Sequence, residues 1–147
     1  MNIIAMCDIN ELINPWKNIK ILSANVNSLN LSNSGPKLEE KSVAITQLGA
    51  DLILLQDVRA SDKKHIIEKT FQCTKGGNYT VHTNSSMDRR GISTLINTKC
   101  NISISEFIDS EDENYSILKL SRLGKEIVIC NCYGPTQTET PSFFEDL

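Results

Sequence analysis

The sequence has no apolar stretch approaching the roughly 18 residues that a membrane-spanning helix needs. It has no excess of positive charge either, since 15 Lys plus Arg stand against 18 Asp plus Glu for a formal net charge of -3. That balance excludes a protein whose affinity rests on blanketing nucleic acid or an anionic membrane with cations. Glycine and proline are scarce, 7 and 4 in 147 residues. Apolar runs recur along the whole length, so a disordered chain is excluded as well. The five cysteines (Cys7, Cys73, Cys100, Cys130 and Cys132) lie at irregular spacings, without a Cys-x-x-Cys and without a histidine placed to complete a zinc site. They read as buried thiols. The first residues lack the basic start and unbroken apolar stretch of a secretory signal, so the expected location is intracellular, nuclear or cytoplasmic. What is present, 39% hydrophobic residues, suffices for the core of a single domain.

Residues 1–18 mix apolar and polar residues without a clear period and read as a leader before a domain over 19–147. The run over 19–27 is a buried strand opening into a polar loop over 28–36. Leu38, Val43, Ile45 and Leu48 recur at helical spacing and Gly49 sits at a stop, which predicts a helix over 37–48. Asp51-Leu-Ile-Leu-Leu-Gln-Asp has the short apolar run of a central strand covered on both faces. A second helix is expected from Ser61, ending at Gly76-Gly77. From Asn78 the period changes to two, giving strands around 79–83, 92–96, 102–107, 115–120 and 127–133, with turns at 88–91, 109–114 and 123–124. Pro141-Ser-Phe-Phe looks like the opening of an amphipathic helix. The order of elements gives an α+β, layered architecture.

Three apolar strands end in polar residues that the strands themselves do not need: Asn25 and Asn27, Gln56 and Asp57, Asn131 and Tyr133. Side chains alternate, so Asn25 and Asn27 share a face, as do Asn131 and Tyr133. If the strands are parallel neighbours, one sheet edge collects amides, a carboxylate and a phenol, a set that suits a divalent cation with several waters and a phosphate. The plainer reading has Asp57 capping a turn before Arg59, and Asn27-Ser28 as turn residues. Asp88-Arg89-Arg90-Gly91 is either a phosphate clamp or a charged turn, and the turn is the commoner case. His65 reads as solvated. His82 has no acidic neighbour in sequence to support a general base. Cys130 and Cys132 share a face opposite to Tyr133, which suits packing against a second layer.

The same polar strand ends carry a family resemblance. Ile21-Leu-Ser-Ala-Asn-Val-Asn-Ser-Leu resembles the opening motif of the endonuclease/exonuclease/phosphatase superfamily, which includes abasic-site endonucleases and the endonuclease domains of non-LTR retrotransposons. Ala50-Asp-Leu-Ile-Leu-Leu-Gln-Asp-Val-Arg resembles its second motif, in which Gln precedes a metal-binding Glu. Asp88-Arg-Arg-Gly-Ile-Ser-Thr-Leu-Ile resembles its Arg-Gly segment. Asn131-Cys-Tyr-Gly-Pro-Thr, with the following Phe-Phe, resembles its Asn-x-Tyr-x-Pro-Asn segment and is most similar to retrotransposon members.

The resemblance implies a four-layer α/β/β/α sandwich and a Mg²⁺- or Mn²⁺-dependent phosphodiesterase acting on DNA. It makes Asn25 and Asp57 the metal end of the site and Gln56 the supporter of Asp57. Tyr133 becomes a phosphate contact that stabilises transition-state charge, with Asn27, Asn131 and Thr136 as further phosphate or DNA contacts. Asp57 stands where the family has Glu, which draws the carboxylate back by about a bond length. The family's later Asp-x-Asn segment has no counterpart after Tyr133, and no histidine follows His82. The expectation is therefore the first part of such a domain, short by about 80 to 100 residues against ordinary domain sizes and inactive as it stands. The alternatives are a non-catalytic remnant or interaction module that self-associates through unpaired sheet edges, or a relative acting on a phosphoinositide or sphingolipid head group.

Overall fold

The computed structural model describes residues 13–29 and 37–134. Thr136 and the expected helix opening at Pro141 lie outside the described residues, as do Cys7 and most of the leader. Five elements form the first half: β1 (Ile21–Asn25), α1 (Leu38–Thr46), β2 (Leu52–Gln56), a 3-10 turn at Ser61–Lys63 and α2 (Lys64–Gln72). Five strands follow: β3 (Tyr79–Asn84), β4 (Ile92–Asn97), β5 (Ser103–Asp109), β6 (Tyr115–Arg122) and β7 (Lys125–Cys132). Every helix and strand expected from 19–133 is present, with ends trimmed by a few residues. The second helix starts late because Arg59 and Ser61 take left-handed φ of 51° and 50°, so the chain enters through a 3-10 turn.

The strands form two sheets, one four-stranded in the order β1-β2-β4-β3 and one three-stranded in the order β5-β6-β7. β1 and β2 are parallel, joined through α1, and all other pairs are antiparallel. Period two decides which core each residue joins. Ile53, Leu55 and Leu95 face the helices and meet Leu38, Ile67 and Phe71, while Leu52 and Ile96 face the other sheet and meet Leu118 and Leu120. Each of these side chains is fully or almost fully buried, a contribution of about 2 kcal/mol apiece. β2 and β4 are covered on both faces, as a continuous apolar run requires.

The architecture is thus α+β, with a helical layer and two sheets: three layers of the expected four-layer sandwich. The outer face of β5-β6-β7 would carry the fourth. It leaves Ile108 62% and Val128 66% exposed.

Besides β1, expected to be buried but half-exposed at the sheet edge with Ile21 54% exposed, three local features depart from the sequence reading. Residues 14–19 are packed with the domain, because Trp16 and Ile19 fill the core between the sheets and the Trp16 indole donates to the Lys125 carbonyl at 3.2 Å. A bulge between Ile104 and Glu106 lets Ile104 and Phe107, three residues apart, pair with Leu120 and Leu118 on the inner side. The thiols are the third. Cys73, Cys130 and Cys132 are exposed, so the expectation of buried cysteines is corrected for them. Asn131 and Ile129 take the inward positions of β7, which turns Cys130 and Cys132 to the uncovered face. Cys100 alone among the described cysteines fits the expectation in part: it is half-buried, and burial together with its hydrogen bond to Asp51 pushes its thiol up to about 12.

Candidate functional site

The parallel pairing of β1 with β2 sets Asn25 opposite Gln56. Beyond the strand ends the backbone stays paired on both sides. Val26, Ser28 and Leu29 donate to the carbonyls of Gln56, Asp57 and Val58 at 3.0, 2.8 and 2.8 Å, while Val58 and Arg59 donate to Gly91 and Arg90 at 2.9 and 2.7 Å. The segment 57–59 is therefore a rail between the β1–α1 loop and the loop over 85–91. Holding it there requires left-handed backbone at Asn27, Ser28, Asp57, Arg59 and Arg90, with φ of 48°, 77°, 59°, 51° and 59°. Asn and Asp tolerate this region better than other non-glycine residues, and Arg does not, so tertiary hydrogen bonds impose it at Arg59 and Arg90.

Asp57 is 4% exposed. Both of its carboxylate oxygens are taken by one partner: Arg59 Nε donates to Oδ1 at 2.7 Å and Nη2 to Oδ2 at 2.8 Å. The fork is bidentate and charge-assisted, the strongest ordinary form of side-chain hydrogen bond. The Asp57 hydrogen bonds raise the guanidinium further above its ordinary range, against desolvation, with Tyr133 and Asp88 close enough to add to the effect. Asn25 turns its amide oxygen back to accept from the Asn27 N–H at 3.0 Å.

Gln56 does not support Asp57. Its Nε2 donates to Ser23 Oγ at 3.1 Å and to Asn131 Oδ1 at 2.9 Å. Asn131 in turn is 1% exposed and donates to the carbonyls of Ser93 and Leu55 at 3.0 and 3.3 Å. Its amide spans the gap between the two sheets, so its position is that of a pin inside the sandwich rather than a surface contact.

Tyr133 follows β7, and its N–H donates to the Asn114 carbonyl at 2.8 Å. The same turn steadies the loop over 85–91. Arg90 Nη1 donates to Asn114 Oδ1 at 3.1 Å, and the buried Glu113 carboxylate accepts from the backbone of Ser86 and Met87 at 2.7 and 3.3 Å and from the Ser86 hydroxyl. Lys41 closes the other side, donating to the Ser28 carbonyl at 2.6 Å. Asn25, Gln56, Asp57, Arg59, Arg90 and Tyr133 thus gather at one end of the sandwich, and Asn27 lies on its rim.

Sequence reasoning read 109–114 only as a turn, and nothing in its pattern singles out Glu113 as the anchor of a loop more than 20 residues away. His82 has no acidic neighbour in sequence. The fold supplies one, because β3 and β5 face each other across the sheets and put His82 Nε2 2.9 Å from Asp109 Oδ1.

The donor set does not fit an octahedral Mg²⁺ or Mn²⁺ site. Both Asp57 oxygens hold Arg59, the Asn25 oxygen holds a backbone N–H, and no group of three His, Cys, Asp or Glu side chains able to hold a metal occurs among the described residues.

Solved structures with this arrangement of sheets are TDP2 from Caenorhabditis elegans and the AP endonuclease LMAP from Leishmania major. The first matches at 15% identity with a TM-score of 0.59, over 82% of this chain and 36% of that one; the second at 13% and 0.59, over 86% and 43%. A truncated C. elegans TDP2 matches at 15% and 0.58, over 82% and 47%. The chain shares the two-sheet fold of these structures. Identities this low establish the fold alone, and the chain spans less than half the length of each of these neighbours. No family model and no curated protein matches the sequence. Among the described residues no helix is long and apolar enough to cross a membrane.

Proposed function

We propose that the chain is the phosphodiester-recognising part of a DNA-processing phosphodiesterase, of the retrotransposon-endonuclease type that its motifs resemble. The observation that carries this reading is the convergence at one end of the sandwich of the β1 and β2 termini, Arg59, Arg90 and Tyr133, on a fold shared with an AP endonuclease. Phosphate contacts from guanidinium and amide groups fix register on a duplex without reading its sequence. By itself the chain is read as non-hydrolytic, because among the described residues the Asp57 carboxylate is engaged by Arg59 and the Glu113 carboxylate by the backbone of Ser86 and Met87.

The test is a supercoiled plasmid with the purified chain and Mg²⁺ or Mn²⁺, alongside binding of a short duplex at low and high salt. The plasmid should stay supercoiled while the duplex binds and is released as salt rises. Nicking that disappears in Asp57→Ala would overturn the non-hydrolytic reading; absence of any duplex binding would overturn the DNA reading and move attention to phosphoinositide or sphingolipid head groups.

The outer face of β5-β6-β7, which no other described element covers, favours a second reading, an interaction module. Ile108 and Val128 are exposed there beside Cys130, β7 is an edge strand of its sheet and β1 an edge of the other. Bare edges with apolar neighbours pair readily with another chain. Sizing chromatography should then show a species larger than a monomer that Val128→Lys returns to monomer. A monomer at every concentration would refute self-association.

A further inference from the structure

We infer that Arg59 is the resident cation of this site: it occupies the Asp57 carboxylate where a divalent ion would bind, and the chain meets phosphate through a guanidinium instead of a metal bridge. The inference deepens the proposed function and rests on it for the identity of the phosphate.

Three observations carry it. The first is occupancy. Asp57 is almost wholly buried, and the Arg59 guanidinium spans both of its oxygens at 2.7 and 2.8 Å, which sets a full positive charge against the carboxylate. A divalent ion would have to displace the guanidinium and leave its charge without that partner. The second is imposed geometry. Arg59 is held in left-handed backbone by its own hydrogen bond to Arg90, so the fork is set by the rail between two loops and not by a freely swinging side chain.

The third is the direction left open. Asp57 engages Nε and Nη2, and among the described residues Nη1 takes no acceptor, while the side chain as a whole is 40% exposed. A guanidinium fixed along one edge by a carboxylate presents its remaining N–H groups in a defined plane, the arrangement that suits a phosphate oxygen. Asp88 is close enough to temper the charge, so affinity should be modest.

Manganese alone is the probe that separates this from the DNA reading, with bound Mn²⁺ counted by electron paramagnetic resonance. The intact chain should hold no Mn²⁺ at Asp57. Arg59→Gln should acquire a bound ion, and adding Asp57→Asn should remove it. Mn²⁺ binding by the intact chain that Asp57→Asn abolishes would overturn the inference, as would a folded Arg59→Gln chain that gains none.

Should Arg59→Gln not fold, Arg59→Lys keeps the charge and loses the fork. In EDTA its affinity for a short duplex should fall about tenfold, a loss on the scale of a charge-assisted contact. For Arg59→Gln the slope of log affinity against log salt should also drop by about one phosphate contact. Unchanged affinity and slope in EDTA would show that Arg59 does not meet phosphate. A chain that binds no DNA but shows the manganese pattern leaves the resident cation standing and removes the DNA reading.

Discussion

Asn131→Asp is expected to lower unfolding stability by about 3 to 5 kcal/mol, the range for an unpaired charge left in a protein interior. The wild-type amide donates to the Ser93 and Leu55 carbonyls and accepts from Gln56. A carboxylate at the same place would face two carbonyl oxygens with nothing to donate. Its folded-state pKa would rise above the unfolded value, so the deficit is full at neutral pH and shrinks as pH falls into the carboxyl range. Urea unfolding should show the midpoint falling at unchanged slope. A variant with wild-type midpoint and abolished duplex binding would instead return Asn131 to the phosphate contacts expected from the motif.

A comparable loss, about 3 kcal/mol or more, is expected for Gly91→Ala, because two destabilising mechanisms add at one residue. The backbone there has φ +91°, and an added Cβ would stand 2.1 Å from Ser85 Oγ and 2.4 Å from Ser85 Cβ. Ser85 has nowhere to go without loss: it is 3% exposed, and its Oγ accepts the Ala60 N–H at 2.9 Å. Moving it would free the rail that carries Asp57 and Arg59. Gly91→Ala in a Ser85→Gly background should recover part of the midpoint, since the clash is relieved and the backbone strain is not. A single variant within experimental error of the parent would show that the loop over 85–91 can relax, and with it the geometry of the site.

Much of this molecule is legible from residues in order. Helix and strand periods placed α1 and all the strands, because one apolar face per element is a local property of the sequence. Alternation even assigned side chains to opposite faces of β7 correctly: Asn131 and Cys130 do point apart. What alternation cannot say is which face meets the second sheet. The exposed edge and uncovered face put Cys130 and Cys132 outside, and Asn131 inside, where a rule about thiols and amides would reverse them.

The candidate site divides in the same way. Asn25, Gln56, Asp57 and Tyr133 are legible as polar ends of apolar strands, and parallel pairing of β1 with β2 does bring the first three together. Their partners were not legible. Gln56 faces Asn131, 75 positions away, Glu113 anchors Ser86 across 27, and His82 meets Asp109 across 27. The partner of Asp57 is only two residues distant, yet even that fork depends on left-handed backbone imposed by Arg90 from another loop.

By itself, then, the sequence determined the α+β class, the order and approximate positions of the elements and the polar character of the strand ends, because these follow from local period and composition. Only the tertiary structure decided that Asp57 is held by Arg59 and that Asn131 is a pin between sheets. Both depend on which faces and loops are brought into contact, and hydrogen-bond partners across such distances leave no period in the chain.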